Sequence, residues 1–414
     1  MTTSTHVAGP GPVRIQMIDA LRGSALAGIV LLHSIEHWDF MRYPENPPEW
    51  LRTLNGFTHD AGFFLFGGKA YGVFALLFGV SFFLLLGGWA RRGQGSGGRF
   101  AWRLTVLACF GYLHGLIYCG DFLLMIALLG FPLILLNRLG TRALAWIAVA
   151  LLLQLPSLAQ TARVLFDSGN VAPQPYHWSL YGQLLPVFAE GSFFDVVRIN
   201  MATGQLSRLM WNIETGRYTQ MLGLFVLGLL LGRAGVLTDP SRARAFGQRA
   251  LAWGAVGFAV LYPLKRMAAH AALGDMARYE VNNLAAAYCN VSQIALWVGA
   301  FILLWQTRPG GRVLALLAPY GRMTLTAYVM QSLIGAPLFY GYGLALYRHA
   351  GPFYSVFIGA AMVVAQCALA HLWFRHFLYG PLEWLWRSLT MLSFATPLRR
   401  REPAPAPAPV AALP

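Results

Sequence analysis

Along this chain apolar residues gather in runs of about twenty, separated by short polar or basic stretches. As helices, runs of that length cross the hydrocarbon core of a bilayer. Ten are read, at 17–35, 66–89, 101–119, 121–138, 142–160, 217–234, 250–268, 283–306, 321–342 and 353–376. The pattern predicts an all-α polytopic membrane protein, with about ten transmembrane helices and interfacial amphipathic helices. The segment 161–216 mixes aromatics, prolines and charges ("PQPYHWSLYG", "EGSFFDVVRINMATG"), which suits helices lying along the interface. "GPLEWLWRSLTML" at 380–392 has the same character. The expected organisation is a disordered tail (1–14), an N-terminal bundle of five spans (15–160), the amphipathic segment (161–216) and a C-terminal bundle of five spans (217–393). A basic Pro/Ala-rich tail (394–414), expected to be disordered, ends the chain. No internal repeat of fixed period is evident.

Composition agrees with the pattern. The chain is 57% hydrophobic and 11% charged, against roughly 25% charged in a soluble domain. Mean hydropathy is +0.53. The first run is too long for a signal-peptide core and lacks a small-residue cleavage site, so it is expected to stay as a span. The net charge of +15 would suggest nucleic acid in a soluble protein. Here the basic residues sit mostly in short loops, where they orient the spans, and nucleic-acid binding is excluded. With both termini on one side, that side holds 20 Lys and Arg against 11 on the other. The positive-inside rule then puts both termini, loop 91–103 and loop 233–249 in the cytoplasm. The long stretches 36–65 and 161–216 face outward. Cys109, Cys119, Cys289 and Cys367 lack C-x-x-C spacing and read as small packing residues.

Ionisable groups inside apolar helices are costly and often functional, and four places stand out. In "IDALRGSALAGIVLLHSIEH", Asp19 and Arg22 lie at the cytoplasmic end of the first span. His33 follows Arg22 by eleven residues, on the same face and about 16 Å along the axis. Lys69 follows two glycines in "FFLFGGKAYG"; it either snorkels to the outer interface or serves an anion inside the bundle. His114 stands between Gly111 and Gly115, seven residues before Asp121, which is either a turn and cap residue or a carboxylate that could orient the His33 imidazole. Arg322, Thr324, Tyr328 and Gln331 make "GRMTLTAYVMQ" unusually polar for a membrane helix, and that stripe must face protein or a cavity. Each place also has a purely structural reading, as an interfacial or interhelical polar contact. The expectation for Arg22, His33, His114 and Arg322 is that they point into one shared cavity.

His33, Glu36 and His37 also spell H-x-x-E-H, an inverted zinc-protease signature. A zinc site needs a third ligand, for which His59 or Asp60 is available, and a helix presenting both histidines to one cleft. Five-residue motifs arise by chance, and no metal is expected.

"IDALRGSALAGIVLLH", "FALLFGVSF", "GYLHGLIYCGDFLLMIALLG", "GRMTLTAYVMQSLIGAPLFYGYGLALY" and "GPLEWLWRSLT" together resemble the YeiB-like family of bacterial inner-membrane proteins, which carries the C-terminal domain of unknown function 418. That family is distantly similar to the transmembrane acyltransferase superfamily, whose first helix has D-x-x-R-G/A followed by a polar residue fourteen after the Asp. Asp19, Arg22, Gly23 and His33 match this spacing. The resemblance implies His33 as a catalytic group, with the Arg22 end facing a cytoplasmic acyl donor. The enzyme reading is therefore transfer of an acyl group from a cytoplasmic acyl thioester such as acyl-CoA to an extracytoplasmic or membrane-embedded acceptor, a glycan or a lipid. His33, His114 and Asp121 are the catalytic candidates, and Glu36 or Asp39 could also orient the imidazole. Asp19, Arg22, Lys69, Arg322, Tyr328 and Gln331 are the substrate-binding candidates. No permanently bound cofactor is expected. The alternatives are a transporter or lipid-handling protein whose pathway these residues line, and a scaffold with structural polar groups.

Overall fold

The computed structural model describes residues 15–91, 93, 97–166 and 174–400, and among them the chain is built of α-helices. In chain order these are α1 (Gln16–Ile35), α2 (Glu49–Leu65), α3 (Ala70–Ala90), α4 (Gly97–Gly115), α5 (Leu123–Leu136), α6 (Thr141–Leu152), α7 (Leu155–Phe166), α8 (Tyr176–Glu190) and α9 (Phe193–Ile199). After a π-helical turn come α10 (Gln205–Glu214), α11 (Arg217–Arg233), α12 (Pro240–Ala269), α13 (Asp275–Trp305), α14 (Arg308–Ala315), α15 (Ala318–Arg322), α16 (Thr324–Phe339), α17 (Pro352–His376) and α18 (Pro381–Met391). Among the described residues, five stretches are long and apolar enough to cross a membrane: Gln16–Ile35, Glu49–Ala90, Thr141–Phe166, Asp275–Trp305 and Pro352–His376. Leu123–Leu136 and Thr324–Phe339 are apolar but shorter. These helices mark a membrane protein. Two of the expected runs are broken. The 142–160 run divides into α6 and α7 beside Gln154, whose φ is +54°. The 321–342 run divides at Met323 into α15 and α16.

Small residues set the tightest packing. A Cβ on Gly23 would lie 2.2 Å from the Leu317 carbonyl oxygen, and one on Gly321 would lie 1.8 Å from that of Asp19. The backbones of α1 and α15 therefore touch, joining "IDALRG" to "APYGR". A second reciprocal pair, Gly79 and Gly228, joins α3 to α11. In lipid, close packing of this kind replaces the hydrophobic drive between helices. Gly321→Ala should lower the thermal midpoint of the detergent-solubilised protein, with an overpacking cost of about 1–3 kcal/mol. Gly56→Ala, on a helix face with open space around it, should not. Equal midpoints for the two variants would refute this close contact.

The two halves of the chain do not form separate bundles. Helix α1 packs on α15 and α17 as well as on α3, while α11 packs on α3 and α6. The 161–216 segment also departs from an interfacial layer. Leu180, Leu184 and Phe188 of α8 are buried, as are Ser207, Arg208 and Asn212 of α10. Helix α8 thus buries its apolar face on protein, whereas α10 turns its polar face inward and leaves Leu206, Leu209 and Ile213 exposed. Residues 394–400 lie back on the end of α17: Leu378 N–H donates to the Leu398 carbonyl (2.8 Å) and Arg400 N–H to the His376 carbonyl (2.9 Å). Backbone groups left over at the end of α17 find partners there. The tails 1–14 and 401–414 lie outside the described residues.

Candidate functional site

Two cavities meet inside the helices. The larger, about 1160 Å³, is walled by α1, the α2–α3 turn, the α4–α5 turn, α8, α10, α12 and α13. The smaller, about 350 Å³, lies at the Arg22 end of α1. Ile29, Phe122 and Tyr328 line both, so one layer of side chains separates them. The expected single cavity is thus two adjoining ones. His33 and Lys69 line the larger, Asp19, Arg22 and Arg322 the smaller.

His33 stands on the larger cavity among aromatic rings. Its ring centroid is 5.2 Å from that of Tyr118 and 6.4 Å from that of Tyr328. The same two tyrosines lie 5.9 and 5.3 Å from His114. The four rings form one cluster, with Gln331 buried beside His33. His114 lines neither cavity; it sits behind the tyrosines with a residue exposure of 4%. The turn after α4 carries Asp121 back onto it, and His114 Nδ1 is 2.7 Å from Asp121 Oδ1. Asp121 Oδ2 accepts from Leu124 N–H at 3.0 Å, capping α5, and lies 3.5 Å from Arg208 Nη1. Asp121 is therefore both a cap residue and the partner of an imidazole. It orients His114, not His33. Tyr328 is fixed by Phe122 N–H, which donates to its hydroxyl at 3.0 Å.

The stretch after α1 removes the zinc geometry. His37, Trp38, Asp39 and Met41 take φ values of 54°, 55°, 64° and 50°. Such left-handed positions cost about 1–3 kcal/mol each in ordinary residues. Packing holds them: Trp38 is fully buried, and its carbonyl accepts from the Tyr340 hydroxyl at 2.8 Å. The turn swings His37 away from His33. Both its ring nitrogens are engaged, with the Arg42 carbonyl and Ser355 Oγ, each at 2.8 Å. It sends Asp39 instead over the α4–α5 turn, where a Cβ on Gly120 would lie 1.8 Å from Asp39 Oδ2. Only glycine permits that approach.

Burial pushes the Asp39 carboxyl up to about 6, against the lowering effects of Tyr118 and Arg208, and raises neighbouring Glu36 as well. A carboxyl that holds its proton more tightly when folded contributes stability that is complete below about pH 4, near its unfolded pKa. That contribution is lost as pH rises through about 6. Asp39→Asn, which cannot titrate, should therefore gain in thermal midpoint relative to wild type between pH 4 and 7. A constant difference across that range would refute this assignment.

At the smaller cavity Arg22 donates to Asp19 Oδ1 at 2.9 Å and also to Ser81 Oγ. The Arg322 guanidinium lies 3.9 Å from the centroid of Phe374, and Arg103 covers Trp386 at 3.4 Å. Glu383 of α18 caps α16: its Oε1 accepts from Leu325 N–H (2.6 Å) and Thr326 N–H (3.1 Å). Burial raises the Glu383 carboxyl, opposed by its hydrogen bonds with Thr326 and Leu325.

Sequence reasoning did not select Tyr118, Arg208, Arg217, Lys265, Arg103 or Glu383. The residue pair "LE" before two tryptophans offered a weak signal for Glu383. Arg208 had none, because in an amphipathic segment an arginine normally faces water, and Arg217 read as the polar edge of a span.

Residues 231–393 match the family model described as "Protein of unknown function (DUF418)". That region holds Lys265, Arg322, Tyr328, Gln331 and Glu383. The chain is similar to "Uncharacterized protein YxaH" of Bacillus subtilis (strain 168), at 28% identity across 92% of this chain and 95% of that one. It is similar to "Uncharacterized protein YeiB" of Escherichia coli (strain K12), at 27% across 90% and 95%. It also matches an "Uncharacterized 39.9 kDa protein in amylase 3'region" of Bacillus acidopullulyticus, at 24% across 91% and 94%. With its C-terminal region matching the DUF418 model and its length matching YxaH and YeiB nearly end to end, the chain is similar to the YeiB-like DUF418 proteins.

Proposed function

We propose that this protein transfers an acyl group across the thin wall between its two cavities. The observation that carries this is the shared lining of Ile29, Phe122 and Tyr328, with His33 beside Tyr328 on the larger side. In this reading the chain crosses a bacterial inner membrane ten times with cytoplasmic termini, and the smaller cavity opens to the cytoplasm. An acyl thioester such as acyl-CoA places its narrow arm in the smaller cavity, and Arg22, Arg103 and Arg322 meet its anionic groups. The acceptor, a glycan or lipid, enters the larger cavity. His33 takes the proton of an acceptor hydroxyl or amine. The freed oxygen or nitrogen attacks the thioester carbonyl, the C–S bond breaks, and the thiolate leaves with the proton that His33 returns. Asp121 and His114 hold the tyrosines that shape the passage.

The same two cavities with a thin wall also suit a carrier, in which the wall opens alternately. Chemistry separates the two. Purified protein in vesicles, given acetyl-CoA with a labelled acetyl group, should move label into extracted lipid or glycan, and Arg22→Ala should weaken acetyl-CoA binding about tenfold or more through loss of a charge-assisted contact. Passage of an intact solute with no label transferred would favour the carrier. Reporter fusions after Arg99 and Arg244 should read cytoplasmic and one within 170–200 should not; a reversed pattern would overturn the orientation.

A further inference from the structure

The larger cavity holds more positive charge than acyl transfer to a neutral hydroxyl requires. Lys69, Arg208, Arg217, Lys265 and Arg266 line it, facing Glu36, Asp39, Asp60 and Asp121. Arg208 is taken up by Asp121 and by the Cys119 carbonyl. Lys69, Arg217 and Lys265 are different. Among the described residues none of them has a carboxylate oxygen within 4.0 Å.

These three come from separate elements. Lys69 ends the α2–α3 turn, Arg217 begins α11, and Lys265 lies near the end of α12. Lys265 and Arg217 are electrostatic neighbours of Lys69, and Glu36 is one of Arg217. Lys69 is 6% exposed, and its ammonium donates to the Phe63 carbonyl at 3.0 Å. It is held there by Gly68, whose φ of +80° lets the turn lie directly on buried Asn290. Arg217 donates to the Tyr71 hydroxyl, and its guanidinium lies 5.2 and 5.3 Å from the rings of Tyr71 and Trp211. Its buried Nε has no hydrogen-bond partner among the described residues. The first turn of α3 lines the same wall, so the positive end of that helix adds to the field. Gathering like charges from three elements around a buried ammonium is unfavourable unless an anion completes the group.

We infer that Lys69, Arg217 and Lys265 form an anion subsite in the larger cavity that takes a phosphate-bearing acceptor. The inference rests on the acyl-transfer reading for the word acceptor alone; the binding itself stands without it. Phosphate suits the group because a guanidinium and two ammonium groups can each meet one of its oxygens. Such a phosphate comes either from a lipid headgroup or from a soluble phosphate ester, and the test separates them.

Full-length protein in detergent is titrated with glycerol 3-phosphate and with glycerol, and protein in nanodiscs of phosphatidylcholine is offered phosphatidylglycerol. Saturable binding of glycerol 3-phosphate but not glycerol supports a soluble ester. Retention of phosphatidylglycerol alone, read by native mass spectrometry, supports a headgroup. In either case Lys265→Gln should weaken binding about tenfold and Lys265→Glu more, each loss being that of one charge-assisted contact. Lys265 is only partly buried, unlike Lys69, so these variants should fold even if Lys69→Gln does not. No binding of either probe, or binding that Lys265→Glu leaves unchanged, would overturn the subsite. Binding without acyl transfer would sink the acyl-transfer reading alone, and acyl transfer to an uncharged acceptor only would sink this one alone.

Discussion

His33→Ala is expected to reduce acyl transfer by about 10²–10⁴, the usual cost of removing a general base, while leaving acetyl-CoA binding nearly unchanged. The separation follows from position. His33 lines the larger cavity, whereas Arg22 and Arg322, which would meet the donor, line the smaller. Some stability should be lost with the ring packing on Tyr118 and the Gln331 contact, so binding and turnover are compared on folded protein. His37→Ala behaves in the opposite way. It removes contacts to Arg42 and Ser355 and a ring stacked on Phe339 at 4.2 Å, so it should lower the thermal midpoint without removing the base. A metal site would lose activity with either histidine. Turnover that survives His33→Ala undiminished would exclude His33 as the base, and His114, buried behind the tyrosines, would need a route to the substrate.

Asp121→Ala is expected to be the most destabilising single substitution at the site. Asp121 is fully buried and joins three groups: the His114 imidazole, the Leu124 N–H and the Arg208 guanidinium. Removing one member of a buried ion pair leaves the other charge uncompensated, at a cost of about 3–5 kcal/mol. The loss should appear as a large drop in thermal midpoint in detergent. Replacing Arg208 by Met in the same chain should restore part of it, since the stranded cation is then gone. A double variant no more stable than Asp121→Ala would show that the cap on α5 and the His114 bond, rather than Arg208, carry the effect. Asp121→Asn tests the charge with the shape retained, and its loss should be smaller.

Much was legible without coordinates, for reasons that can be traced. Runs of twenty apolar residues have one economical conformation in a bilayer, so the all-helical character was legible, although among the described residues five stretches are long and apolar enough to cross a membrane. Arg22 and Asp19 were readable as a pair because residues three apart on a helix are neighbours, and they lie 2.9 Å apart. His114 and Asp121 were close in sequence with a turn between them, and the turn brings them together.

Contacts between distant segments could not be read in the same way. The period of a helix says which residues share a face, but not which other helix that face meets. Thus His33 and Arg22 share a stripe on α1 yet line different cavities, because Ile29, Phe122 and Tyr328 close the space between them. Glu36 and His37 follow His33 directly, yet a left-handed turn held by buried Trp38 sends His37 to Ser355. The segment 161–216 has the composition of an interfacial layer. Its helix α8 instead buries apolar residues on protein, and α10 turns its polar face inward and brings Arg208 to Asp121. By itself the sequence determined the helices, the membrane setting and the short-range polar pairs, because each depends on local spacing and on the cost of unpaired groups in lipid. The division into two cavities, the tyrosines between the histidines and the gathering of Lys69, Arg217 and Lys265 were decided by tertiary structure. Each depends on which helices meet, and that is a property of the packed whole.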